Sequence, residues 1–152
     1  MHRIFFLLSG YARLLPLCLL LWSQPSFAAT DAVIVTSLDS SRVISPYQAK
    51  AYFGMRIQQW PDGRPLRVFV LPDRHPLHEV FCKTLLNVFP HQLRTAWDRQ
   101  VFSGTGQAPV EVASEDEMLV RIASTPGAIG YLSRQKADES RVRKIEVRDG
   151  NQ

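Results

Sequence analysis

Short apolar runs rich in β-branched residues alternate along this chain with helical stretches opened by proline or a capping residue, and that alternation limits the fold more than any other feature. Ala32-Val33-Ile34-Val35 reads as a buried strand bounded by the polar run Thr36 to Arg42. A helix is expected next, with Ser45 as N-cap, Pro46 in the first helical position and Gln48 completing a capping box. Gly54 is placed to end that helix in a left-handed conformation, which makes Tyr52 and Phe53 its last residues. Trp60-Pro61-Asp62-Gly63 has the proline and glycine positions of a type I turn. Leu66 to Leu71 is apolar on both faces apart from Arg67, as expected of a central strand covered on both sides.

The second half repeats the pattern. Pro76 opens a helix whose Leu77, Phe81, Leu85 and Val88 recur at helical spacing through Phe89, with Pro90 closing it. A third amphipathic stretch turns Leu93, Ala96, Trp97 and Val101 inward and ends in Ser103-Gly104-Thr105-Gly106. A capping box, Ser114 with Glu117, opens a helix carrying Met118, Leu119 and Ile122, which stops before Pro126-Gly127. Ile129 to Leu132 is a further strand, and Lys144 to Val147 is expected to pair at the edge of the sheet. Strands alternating with helices define an α/β layer fold.

The first 28 residues are read as a signal peptide and set apart from the fold. Arg3 and Arg13 are basic, Leu14 to Leu21 is an apolar core interrupted by Pro16, and Ser26-Phe27-Ala28 has the small-x-small form of a cleavage site. The apolar run is short of the ~20 residues of a membrane-spanning helix, so no stable membrane insertion is expected after cleavage. Residues 29–152 then form one domain of ordinary size. Removing Arg3 and Arg13 leaves 16 of the 18 basic residues against 14 acidic ones, a nearly balanced charge. The region from Arg134 to Arg148 mixes both signs, as a solvated surface does, and nucleic acid is not an expected partner. Only Cys82 lies beyond the leader, inside an apolar stretch, so it is expected to be a buried structural thiol.

Two strings carry a resemblance to a known family. Tyr52-Phe53-Gly54-Met55 leads to Trp60-Pro61-Asp62-Gly63, and Pro126-Gly127-Ala128-Ile129-Gly130-Tyr131 follows near the end. In order and spacing they resemble the phosphate-binding periplasmic receptors, which are type 2 periplasmic binding proteins. The chain, with residues for one lobe, is similar to a short single-lobe member. The resemblance implies a central mixed sheet flanked by helices and a periplasmic location. It also implies a solute-binding role connected with ABC transport, and neither a cofactor nor an enzymatic activity.

In that family an Arg then Ser-Gly-Thr segment begins a helix and holds the oxyanion with unpaired backbone N–H groups, the helix dipole and hydroxyls. The matching place here reads Leu71-Pro72-Asp73-Arg74-His75-Pro76-Leu77-His78, followed by Phe81. Arg74, His75, Leu77 and His78 are therefore the candidates for a weakened oxyanion site, although Pro76 lacks an N–H and Asp73 would repel an anion and is itself placed to cap the helix. Ser103, Gly104 and Thr105 restore the missing letters but follow a helix, where a nest of loop amides is the alternative anion site and a structural loop the simpler reading. The stretch from Trp97 through Phe102 to Pro109 resembles a pattern in shorter relatives. His75, His78 and Cys82 could approach one another, but without a fourth ligand they do not make a metal site, and the histidines are expected to be exposed. No nucleophile elbow or carboxylate pair is present. The function expected from the sequence is weak oxyanion binding, of phosphate or a similar ion, or sensing of it in the cell envelope together with a permease, sensor or receptor. The alternative is a protein-protein interaction module that does not bind ligand.

Overall fold

The computed structural model describes residues 31–38, 42–140 and 142–148; the leader segment lies outside them. The elements in order are β1 (Ala32–Thr36), β2 (Val43–Ile44), α1 (Pro46–Phe53), β3 (Arg67–Val70), α2 (Pro76–Leu85), α3 (Pro90–Phe102), β4 (Val110–Glu111), α4 (Glu115–Ser124), β5 (Ala128–Ser133), α5 (Arg134–Glu139) and β6 (Arg143–Val147). They build a six-stranded sheet in the order β2-β6-β1-β5-β3-β4. β1 runs antiparallel to β5 and β6, whereas β3 is parallel to both β5 and β4, so the sheet is mixed. All residues of β5 from Ala128 to Leu132 are buried, the pattern of a strand covered on both faces.

The two strings singled out in the sequence meet in space. The Trp60 indole N–H donates to the Gly127 carbonyl at 2.9 Å, and Arg67 N–H reaches the same oxygen at 3.1 Å. Gly127 has φ +73°, and a Cβ there would stand 2.2 Å from the Pro65 carbonyl oxygen, so both backbone conformation and space demand glycine. Gly63 closes the Trp60 turn with an N–H bond to the Trp60 carbonyl at 2.9 Å. On the other side of the core, α3 covers the carbonyls left over at the end of α1. Trp97 Nε1 donates to the Phe53 carbonyl at 2.7 Å and Gln100 Nε2 to the Gly54 carbonyl at 2.6 Å. Phe53 meets Phe81 and Tyr131 edge-on, which joins α1, α2 and β5 through one aromatic cluster.

Several local expectations are corrected. Gly54 keeps φ −77°, and Met55 takes the left-handed conformation at φ +58°. A Cβ on Gly54 would lie 2.7 Å from the Lys50 carbonyl oxygen, so the glycine serves close approach rather than handedness. α2 stops at Leu85, because Asn87 at φ +50° turns the chain and Val88 N–H bonds back to the Cys82 carbonyl; Pro90 opens α3 instead of closing α2. Val101, expected to turn inward, is 46% exposed. Ser114 caps α4, but Glu117 reaches back to the N–H of Ala113, one residue before the cap. β6 is not the edge strand: the two residues of β2 pair along its outer side.

Candidate functional site

The segment between β3 and α2 is where the expected oxyanion contacts fall, and its local hydrogen bonds decide what it can hold. Pro76 has no N–H to offer, and His75 serves as N-cap, its Nδ1 accepting from Leu77 N–H at 3.2 Å. His78 N–H and Glu79 N–H are directed at the His75 carbonyl, at 2.9 and 3.3 Å. The donors of this helix start are thus occupied within the chain. Asp73 is not the cap. Its carboxylate instead takes a bidentate pair of bonds from Arg94 of α3, at 3.0 and 2.8 Å. Arg94 also reaches Glu111 of β4 at 3.0 Å and lies over the Trp97 ring, so its charge is engaged by two carboxylates. Arg74 is exposed and has no ion-pair partner among the described residues.

His78 was expected to face water and is fully buried. Its i, i+4 neighbour Cys82 and the stripe Leu77 and Phe81 carry it into the core. There it belongs to a polar chain. Leu71 N–H donates to Tyr131 Oη at 2.8 Å, and Tyr131 Oη stands 2.5 Å from His78 Nδ1. Nδ1 is the one acceptor in reach of the Tyr131 phenol proton among the described residues, and the tautomer that satisfies this buried hydroxyl carries the imidazole proton on Nε2. Nε2 in turn faces Cys82 Sγ at 3.5 Å and the Asp73 carboxylate at 3.7 Å. Burial lowers the His78 pKa below its ordinary value, against the opposing pull of Asp73, so the ring is neutral here. Burial, with a smaller contribution from Asp73, pushes the Cys82 thiol up to about 12, and burial raises Tyr131 well above its ordinary value. A fully buried thiol held in its protonated form is neither a nucleophile nor a metal ligand. Among the described residues no group of three or more metal-ligating side chains comes together.

Ser103, Gly104 and Thr105 lie at the other end of α3, far along the chain from Arg74. The N–H groups of Ser103, Gly104, Thr105 and Gly106 bond to the carbonyls of Arg99, Val101, Gln100 and Gln100 respectively, at 3.1 to 3.2 Å. The Ser103 and Thr105 hydroxyls bond each other at 2.8 Å. The loop is a helix terminus whose amides face back into the helix, and it presents no nest of free donors. The polar residues of this cluster that the sequence did not single out for it are Tyr131, Asp73 as the partner of Arg94, Arg94 and Glu111. Their assembly depends on β3, β4, β5 and α3 converging, which no local spacing announces.

The fold is a mixed-sheet α/β lobe, six strands flanked by helices. No family model and no curated protein matches the sequence. Among solved structures it is similar to PstS from Borrelia burgdorferi, with TM-score 0.60 and 16% identity over 80% of this chain and 49% of that one. It is likewise similar to an ABC-type phosphate transport receptor from Vibrio cholerae, with TM-score 0.58 and 15% identity over 77% of this chain and 46% of that one. The chain therefore spans less than half the length of either structure. At such identities the shared property is the fold.

Proposed function

We propose that this chain is an exported, non-enzymatic lobe of phosphate-receptor type that works in the periplasm through contact with an envelope protein, a permease, sensor or receptor, and does not trap phosphate by itself. The observation that carries this reading is the saturation of the amides at both candidate anion sites: the start of α2 is capped by His75, and the loop after α3 is bonded back to its own helix. An oxyanion at either place would have to displace an internal hydrogen bond, and only one wall would surround it, whereas small-ligand sites bury most of their ligand. The leader sequence supports export, and the described residues contain no helix long and apolar enough to cross a membrane.

Weak oxyanion binding at Arg74, His75, Leu77 and His78 is the second reading, favoured by the exposed, unpaired guanidinium of Arg74 at a helix start. The buried ring of His78 leaves that residue only its backbone to contribute. Photo-crosslinking from surface positions in intact cells tests the leading reading. One dominant envelope adduct that maps to a single face of the lobe is expected, and absence of any specific adduct, with phosphate capture by the isolated chain, would overturn it.

A further inference from the structure

Most basic side chains among the described residues are neutralised by a neighbour, Arg42 by Asp62, Arg94 by Asp73 and Glu111, Arg121 by Glu117, Arg134 by Asp31, and Lys83 by Glu79. A group on one face departs from this pattern. Lys50 and Arg56 border a cavity of about 320 Å³ beside α3. Arg56 and Ala96 also border the next cavity, of about 430 Å³, together with Arg99. Thr105 joins that one to a third, of about 500 Å³, which Arg67 borders. The three adjoining cavities contain no carboxylate in their walls, and all four cations are exposed with no ion-pair partner among the described residues. By contrast, the cavity of about 560 Å³ beside β1 and β6 includes Asp31 and Glu146, and its Arg42, Arg134 and Lys144 are all paired.

The shape of this strip indicates the class of occupant. It follows α3 from Leu93 to the helix end, about 13 Å at 1.5 Å per residue. A phosphate ion would engage one or two of these cations and leave the rest unused, whereas an extended peptide covers the α3 stretch with about four residues at ~3.3 Å each and reaches Lys50 and Arg67, which lie off α3, with its flanks. Between the cations, Val88, Leu93 and Ala96 supply an apolar floor. We infer that this strip docks an extended, acidic segment of a partner protein, with carboxylates against Lys50, Arg56, Arg99 and Arg67 and apolar side chains on the floor along α3. The inference rests on the interaction reading of the preceding subsection and locates the surface that serves it. Charge complementarity of this kind accelerates encounter and fixes register, and it weakens as salt screens it.

The test uses a fluorescent peptide of about eight residues in which glutamate and leucine share one face of the extended chain and serine fills the other, read by anisotropy at an ionic strength of about 50 mM. Saturable binding that weakens with added salt is expected. The double variant Arg56→Glu/Arg99→Glu should raise Kd roughly tenfold or more, while Arg121→Glu/Arg148→Glu, with the same change in net charge elsewhere, should leave it within about twofold. Circular dichroism of both variants verifies that each is folded. Equal loss in the two double variants would overturn the inference, because attraction would then belong to net charge and not to the strip. Binding to phosphatidylglycerol vesicles that depends on Arg56 and Arg99, with no peptide binding, would overturn it in favour of a lipid surface. If the peptide fails while crosslinking still yields one envelope adduct from another face, this strip is dismissed and the interaction reading stands. If the peptide binds to the strip but cells yield no adduct and the isolated chain captures phosphate, the interaction reading is the one that fails.

Discussion

Replacing Tyr131 with phenylalanine isolates the contribution of the buried polar chain, because it deletes one oxygen and leaves the aromatic packing in place. The ring stacks on Phe81 with centroids 3.8 Å apart and planes 6° apart, and this contact survives the substitution. What is lost is the acceptor for Leu71 N–H and the donor to His78 Nδ1, at 2.8 and 2.5 Å. Leu71 and His78 are both fully buried, so water cannot replace the missing partner. Each orphaned group costs about 1–3 kcal/mol, and since the imidazole can partly re-aim, the sum is set at about 2–4 kcal/mol. That is a large share of a typical domain stability of roughly 5–15 kcal/mol. Urea denaturation should show the midpoint falling with an unchanged slope. In a His78→Leu background the same substitution should cost less by about 1 kcal/mol or more, the coupling expected of groups in contact. A loss under about 0.5 kcal/mol, or full additivity with His78→Leu, would refute the proposed hydrogen-bond chain.

Further predictions concern the glycines and acid stability. Gly130→Val should destabilise by about 1–3 kcal/mol, since even a first added carbon would stand 2.5 Å from Met118 Sδ and 3.1 Å from Ile122 Cδ1; an unchanged melting temperature would show that α4 does not press on β5. Gly127→Ala should cost more than Gly63→Ala, because both glycines have positive φ but only Gly127 faces backbone, the Pro65 carbonyl, and equal losses would contradict the close approach. Stability should also decline with acid through His78. Burial holds its folded pKa below the ordinary 6.5, with Asp73 and Glu111 pulling upward and Arg94 and His75 downward, so below pH 6.5 the unfolded chain binds more protons. The contribution is complete above pH 6.5 and is lost as pH falls from there toward the lowered value. His78→Leu should flatten the stability profile on the acid side of pH 6.5, and an unaltered slope would contradict a buried neutral ring.

What the sequence made legible was local. The capping box of Ser45 and Gln48, proline at the start of α1 and α2, and the alternation of strands and helices are short-range signals, and the structure forms them as expected. The two aromatic-glycine strings were recognisable as landmarks, but their meaning lies in a contact 67 residues apart, between Trp60 and Gly127. The division at Asn87 was missed because Leu85, Leu86 and Val88 continue the apolar periodicity past the end of α2. His78 misled for the opposite reason. Its type suggested a solvated helix start, while its burial depends on a phenol supplied by β5. The anion candidates were chosen by residue type, and hydrogen-bond occupancy, which composition does not encode, decides whether they have donors to give.

The most direct test of the central claim is a phosphate titration of the isolated chain followed by amide chemical shifts and calorimetry. No saturable response is expected below about millimolar phosphate, or about −4 kcal/mol, at Leu77, His78 and Glu79 or at Ser103 to Gly106, because those amides already have partners. Saturation well below millimolar concentration, with the largest shifts at Leu77 to Glu79 and loss of the response in Arg74→Ala, would contradict it and establish the start of α2 as a working oxyanion site.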